Sequence, residues 1–366
     1  MKQGITRRAV LAMLPGVLAA ANRKSIQKPK SLPSGGEFTR FTDPTTETPV
    51  VRLTNPSTAN LLPAATNHFI SVRDRFLVFS SNRTGKFAPF RVDLKTGVLK
   101  QLASAQALVP RSLCMDKSEK LLYFLDGDTL RRVSLVSKKE ESPLELKAGA
   151  FSLGSSPLEF LVIHDGALEH WIGDAQRRVA DNVSGECLVE PGGKGCLFAR
   201  GSSADREYWY VPLDTPAAKP VQLASGRISN PFWSRGGRSL LFLREIPRGN
   251  ASMAEIHEVL LETRQEQCVA PTSQFAAFSP NADDSVFVGA SRSRAQRNIM
   301  LLLRSARREL TLCEHRAKDA ALTSPVFSPD SKRVYFESDR DGKPAIYSVN
   351  VERLVEPTSA DEQGRF

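Results

Sequence analysis

From about residue 37 onward, apolar and polar positions alternate in short runs, each ended by turn-forming residues. That period-two pattern predicts β-strands. The unit is clearest near the C-terminus. There Pro325-Val326-Phe327-Ser328-Pro329-Asp330 is followed by Val334-Tyr335-Phe336-Glu337-Ser338, then Asp341-Gly342-Lys343, then Ala345-Ile346-Tyr347-Ser348-Val349. Ser-Pro-Asp presets a tight turn, the alternation makes strands, and Asp-Gly supplies the positive-φ position of a hairpin.

The aromatic of the second strand recurs at Phe79, Phe124, Phe160, Phe198, Phe242, Phe287 and Phe336. Seven copies about 43 residues apart fall in the range of four-stranded propeller blades. The expected fold is therefore all-β, a seven-bladed β-propeller of four-stranded antiparallel blades. Pro49-Val50-Val51-Arg52-Leu53-Thr54 precedes the first complete unit, and the last unit weakens after Val351. Because an open blade leaves an unpaired edge, this N-terminal strand is expected to close the ring in blade seven.

Residues 1–21 break the pattern: Arg7 and Arg8 precede an apolar run that holds Pro15 and ends in Ala19-Ala20-Ala21. The run is shorter than the roughly 20 residues of a membrane span, so no transmembrane anchor is expected. The order is that of a twin-arginine (Tat) signal peptide, which implies export to the periplasm or beyond. The domain reading is a signal peptide at 1–21, a linker at 22–36, the propeller at 37–356 and a disordered tail at 357–366.

The chain has 50 Lys and Arg against 40 Asp and Glu, a formal charge of +10. Removal of residues 1–21 takes Lys2, Arg7 and Arg8 and no acid, leaving +7. A spread positive excess suits acidic polysaccharides and equally suits solubility. The densest basic stretch includes Arg304, Arg307, Arg308, Arg316 and Lys318, but no nucleic-acid motif accompanies it, so no nucleic-acid partner is expected. The five cysteines show no C-x-x-C spacing, which argues against zinc. Cys187 and Cys196 flank Pro191-Gly192-Gly193-Lys194 and face each other across a hairpin either as a disulfide or as buried thiols. No nucleophile elbow, P-loop or dinucleotide fingerprint is present.

Asp43 with Val51-Arg52-Leu53-Thr54, Phe79-Ser80-Ser81-Asn82-Arg83-Thr84-Gly85 and Val92-Asp93-Leu94-Lys95-Thr96-Gly97 resembles the opening of the oligogalacturonate lyases. Phe327-Ser328-Pro329-Asp330 through Asp339-Arg340-Asp341-Gly342-Lys343-Pro344-Ala345-Ile346-Tyr347 is similar to their last blade, and TolB-like propellers share these phrases. The resemblance implies a seven-bladed propeller that cleaves galacturonates by β-elimination, with Mn²⁺ held by histidines and a glutamine. The metal would neutralise the uronate carboxylate and stabilise the enolate as a histidine base removes the C5 proton.

At the matching positions this chain departs from the family. Leu322-Thr323-Ser324-Pro325 replaces a His-Pro-His-Pro run, Asn230 precedes Pro231-Phe232-Trp233 in place of a ligand histidine, Glu186 replaces another, and Asp319 falls near the glutamine. The resulting expectation is no cofactor and no metal, with doubtful lyase activity and unknown catalytic residues. Arg111, Glu186, Arg200, Asn230 and Asp319 are the candidate ligand-binding residues for an acidic oligosaccharide. The alternative is a non-enzymatic TolB-like scaffold for an envelope protein partner; oligomeric state is left open.

Overall fold

The computed structural model describes residues 36–137, 146–156, 158–249 and 251–355, which form seven antiparallel sheets and one short 3₁₀ turn, Ala320–Thr323. The expected signal peptide, residues 22–35 of the linker and the tail lie outside the described residues. No described helix is long and apolar enough to cross a membrane.

Blade one contains Asn60–Leu61, Phe76–Ser81, Ala88–Asp93 and Leu99–Gln101 from inside to outside. Blades three to six repeat this four-stranded order, including blade three, whose repeat is faint in the sequence. Blade two has three described strands, with Lys147 bridging Thr129 at the place of a fourth. The seven marker phenylalanines all lie on second strands and are at most 3% exposed. Neighbouring blades cover both faces of these strands, which is why Val286–Ser291 is buried at every position instead of alternating.

The ring closes as the sequence implies, with one addition. Pro49–Arg52 pairs with Ala345–Asn350, Val50 opposite Val349, and supplies the fourth strand of blade seven. Thr39–Thr42 then folds back as a fifth strand that the repeat did not announce. Val50 packs with Val286, Phe336 and Tyr347 in one core cluster. The buried Asp43 carboxylate accepts from the backbone N–H groups of Thr45, Thr46 and, in blade six, Glu314. Burial alone would raise its pKa, but those donors hold it below the usual carboxylate range.

Two Asp-Gly turns differ in length. Asp165-Gly166 joins its strands as a two-residue hairpin with both φ angles positive, at 48° and 72°. Asp341-Gly342 also lies in a hairpin, with Gly342 at a positive φ of 136°, but of another length. The strands Arg333–Ser338 and Ala345–Asn350 are joined by a longer loop in which Asp341 binds Arg52 at 3.0 Å and the Tyr347 hydroxyl at 3.0 Å. The loop therefore grips the closing strand.

All five cysteines are free, and Cys187 and Cys196 are buried thiols in one apolar cluster. Burial pushes the Cys187 thiol up to about 12.

Candidate functional site

The inner strands of the blades surround a central cavity of about 470 Å³. Its wall draws on blades one to five, with His68, Lys117, Tyr123, Glu159, Phe232 and Trp233 among the lining residues. Two aromatic side chains come from the end of one inner strand, Ile228–Trp233, where a register shift between Ser229 and Phe232 interrupts the ladder. The Trp233 indole N–H donates to the Leu188 carbonyl at 3.3 Å, which fixes the ring. The carboxylates of the wall are committed. Glu159 accepts from Ser155 and Ser156 and bonds buried His170 at 2.9 Å. Asp116 is held in its own turn by Lys120 and Leu121.

Arg111, Glu186, Asn230 and Ser324 stand at or near the starts of inner strands. Arg111 leaves blade two, passes the Leu62 carbonyl of blade one at 3.3 Å and reaches blade seven. There its guanidinium donates to Ser324 Oγ at 3.0 Å, the Leu322 carbonyl at 3.4 Å and both oxygens of Glu337 at 3.0 and 3.3 Å. Glu337 is 3% exposed and also accepts from the Leu62 N–H at 2.7 Å. Burial pushes its pKa up to about 7, against the pull of Arg111. A guanidinium thus occupies the segment where the family resemblance implied imidazoles.

The other candidates are dispersed. Glu186 pairs with Arg206 at 3.1 Å, and burial raises its carboxyl despite that partner. Asn230 adopts a left-handed φ of 53° and donates to Ser229 and, across the blade boundary, to the Ala276 carbonyl. Arg200 lies on a second strand, stacked 4.7 Å from the Trp209 centroid with Nε on the Asp181 carbonyl. Asp319 caps the 3₁₀ turn by accepting from Ala321.

Asp319 nevertheless marks the rim of a second, smaller cleft of about 180 Å³, also lined by Arg292, Arg294, Arg297, His315 and Lys318. Arg294 and Arg297 are exposed and have no ion pair among the described residues, whereas Arg292 binds Glu245 at 2.6 Å. His315 is fully buried, accepts from the Ala317 N–H and donates Nε2–H to the Ser291 carbonyl at 3.0 Å. Desolvation lowers its pKa, opposed by the Ser291 bond and reinforced by Arg297 and Arg340. Both ring nitrogens are engaged, so it offers no free base. The sequence reading missed this cleft because its cations come from a loop within blade six and from the connection to blade seven.

The five histidines do not converge. His68 lines the central cavity, His170 backs Glu159, His315 lies beneath the small cleft, His257 sits in the outer strands of blade five, and His164 borders a hairpin.

Glu337 gives a pH prediction. With a folded pKa near 7 against an ordinary 4.5, the folded state binds its proton more tightly, so this contribution is full below 4.5 and fades as pH rises to 7. Glu337→Gln should remove as much as about 3 kcal/mol of pH dependence across that window. Paired denaturant titrations check this; a wild-type-to-variant difference that stays constant from pH 4.5 to 8 would contradict it.

No protein-family model matches the chain. An oligogalacturonide lyase from Pectobacterium atrosepticum is 26% identical over 208 residues, 49% of this chain and 53% of the enzyme, so the match spans about half of that relative. A solved oligogalacturonate lyase in complex with manganese superposes with a TM-score of 0.75 at 18% identity, covering 87% of this chain and 98% of that one. A second, from Vibrio parahaemolyticus, gives 0.77 at 17% identity, covering 88% and 98%. The chain resembles the oligogalacturonate lyases, and at these structural identities the agreement is one of fold.

Proposed function

We propose that this chain is an exported propeller that binds acidic, galacturonate-type oligosaccharides and does not cleave them by metal-dependent β-elimination. The observation that carries the reading is the cleft between blades six and seven, where Arg294 and Arg297 lack ion-pair partners among the described residues and Lys318 stands at the rim. Guanidinium forks suit uronate carboxylates, and hydrogen bonds to charged groups are the stronger kind. Exposed large apolar side chains such as Val72, Val136, Ile172 and Leu354 belong to different blades, which favours a small ligand over one apolar protein interface.

The positions matched to the family's metal ligands do not fit manganese. Leu322 has no donor side chain, Ser324 is covered by Arg111, Glu186 is paired with Arg206, and Asp319 caps a turn. A guanidinium among these groups opposes a second cation, and hard divalent ions need several converging oxygen or imidazole donors. The twin-arginine N-terminus supports export.

Calorimetric titration with trigalacturonate tests the site. The double variant Arg294→Ala/Arg297→Ala should weaken binding about 100-fold, as expected for the loss of two charge-assisted contacts. Equal affinity in wild type and variant would remove the cleft from the proposal.

A further inference from the structure

Blade five carries a second constellation that the ligand-binding reading does not use. Its third strand, Ala251–Leu260, holds Glu255 and His257, and its fourth, Glu266–Pro271, holds Glu266 and Cys268. His257 lies directly opposite Cys268, and a register shift between Ile256 and His257 distorts the strand next to Glu255. One ligand atom each from Glu255, His257 and Cys268 lies within 4.8 Å of the others. We propose that Glu255, His257 and Cys268 form a zinc site on the outer edge of blade five, with water as the fourth ligand.

The surroundings of the imidazole support this assignment. His257 Nδ1 is 2.7 Å from Glu266 Oε1, while Nε2 faces Glu255 Oε2 at 3.1 Å. Glu266 is itself clamped by Arg244 through two bonds of 2.6 and 2.7 Å. A carboxylate on one ring nitrogen fixes the tautomer and turns the other nitrogen toward a metal, the arrangement that orients imidazole ligands in zinc proteins. Thiolate with imidazole selects zinc over manganese, calcium or magnesium, and one carboxylate completes a three-ligand set with an open position. His257 and Glu255 are mostly shielded, at 12% and 16% side-chain exposure, whereas Cys268 is exposed, so an ion has a path of entry.

Binding displaces protons, and affinity should rise with pH. The Cys268 thiol is raised by desolvation and by Glu255, with Arg307 opposing. Desolvation lowers His257, but Glu266 and Glu255 outweigh it and raise the imidazole, with Arg244 opposing.

The test uses the full-length protein, stripped of metal and kept reduced. Cobalt(II) as a probe should give tetrahedral visible bands and a thiolate charge-transfer band at one equivalent. Cys268→Ser should abolish the charge-transfer band, and Cys114, Cys187, Cys196 and Cys313 cannot substitute because they are buried. Zinc, measured by competition with a chromophoric chelator, should bind about 10–100-fold more weakly to Glu266→Gln, which touches the imidazole and not the metal. Cys268→Ser replaces an exposed side chain and should melt like wild type without metal. A missing cobalt–thiolate band, or equal zinc affinity in Cys268→Ser and wild type, would reduce the cluster to an ion-pair network.

Discussion

A chain begun at Asn55 is expected to lose its cooperative melting transition. The shortened protein lacks the strand Pro49–Arg52, which pairs with Ala345–Asn350 and completes blade seven. It also lacks Val50, fully buried beside Phe336 and Tyr347, and Asp43, whose carboxylate joins the N-terminal hairpin to blade six. Burying one such aliphatic side chain contributes about 1.5–3 kcal/mol, and the exposed third strand adds a row of unpaired backbone groups and a cluster opened to water. These losses together approach the 5–15 kcal/mol by which domains are usually stable. Calorimetric melting of the shortened protein and of the chain from residue 22 decides the matter: aggregation or a broad, early transition fits closure by the N-terminus, and an unchanged sharp transition contradicts it.

Arg111→Ala should be the most damaging single substitution near the channel. The Glu337 carboxylate would keep only the Leu62 N–H, and removing one member of a buried ion pair typically costs about 3–5 kcal/mol. Arg111 is 33% exposed and Glu337 can accept a proton, so the expected loss at pH 8 is lower, about 2–3 kcal/mol. It should shrink toward pH 5, where the carboxyl is neutral. Arg111→Ala/Glu337→Gln should recover much of the stability, because the stranded charge and not the missing contact causes most of the loss. Denaturant midpoints for the four proteins of this cycle supply the test, and strictly additive losses would show that the pair is not coupled.

The blade count was legible because each second strand needs a large apolar residue between two neighbouring blades, and Phe fills that place in all seven copies. Val50 was legible as the closing strand because an isolated strand before the first repeat has one edge on which to pair. Glu337 was overlooked as a site residue, although the positions from Val334 to Ser338 of its second strand are all buried. Its partner Arg111 lies 226 positions earlier, and no local period connects them. Arg294 and Arg297 fall in a loop, where alternation carries no information about which cations find acids. The sequence argument against zinc looked for C-x-x-C spacing and so did not weigh the proposed cluster, whose His257 and Cys268 meet across two strands and a bulge. Pairing register decides such sites, and register emerges only with the sheet.

The account's central claim is binding of an acidic oligosaccharide without metal-dependent elimination. The most direct measurement titrates the purified protein with trigalacturonate in a calorimeter, with and without Mn²⁺, while the absorbance of unsaturated uronate is followed in the same samples. The account predicts saturable heat that Mn²⁺ does not change and no unsaturated product. Manganese-stimulated release of unsaturated uronate, or no binding heat at all, would contradict it.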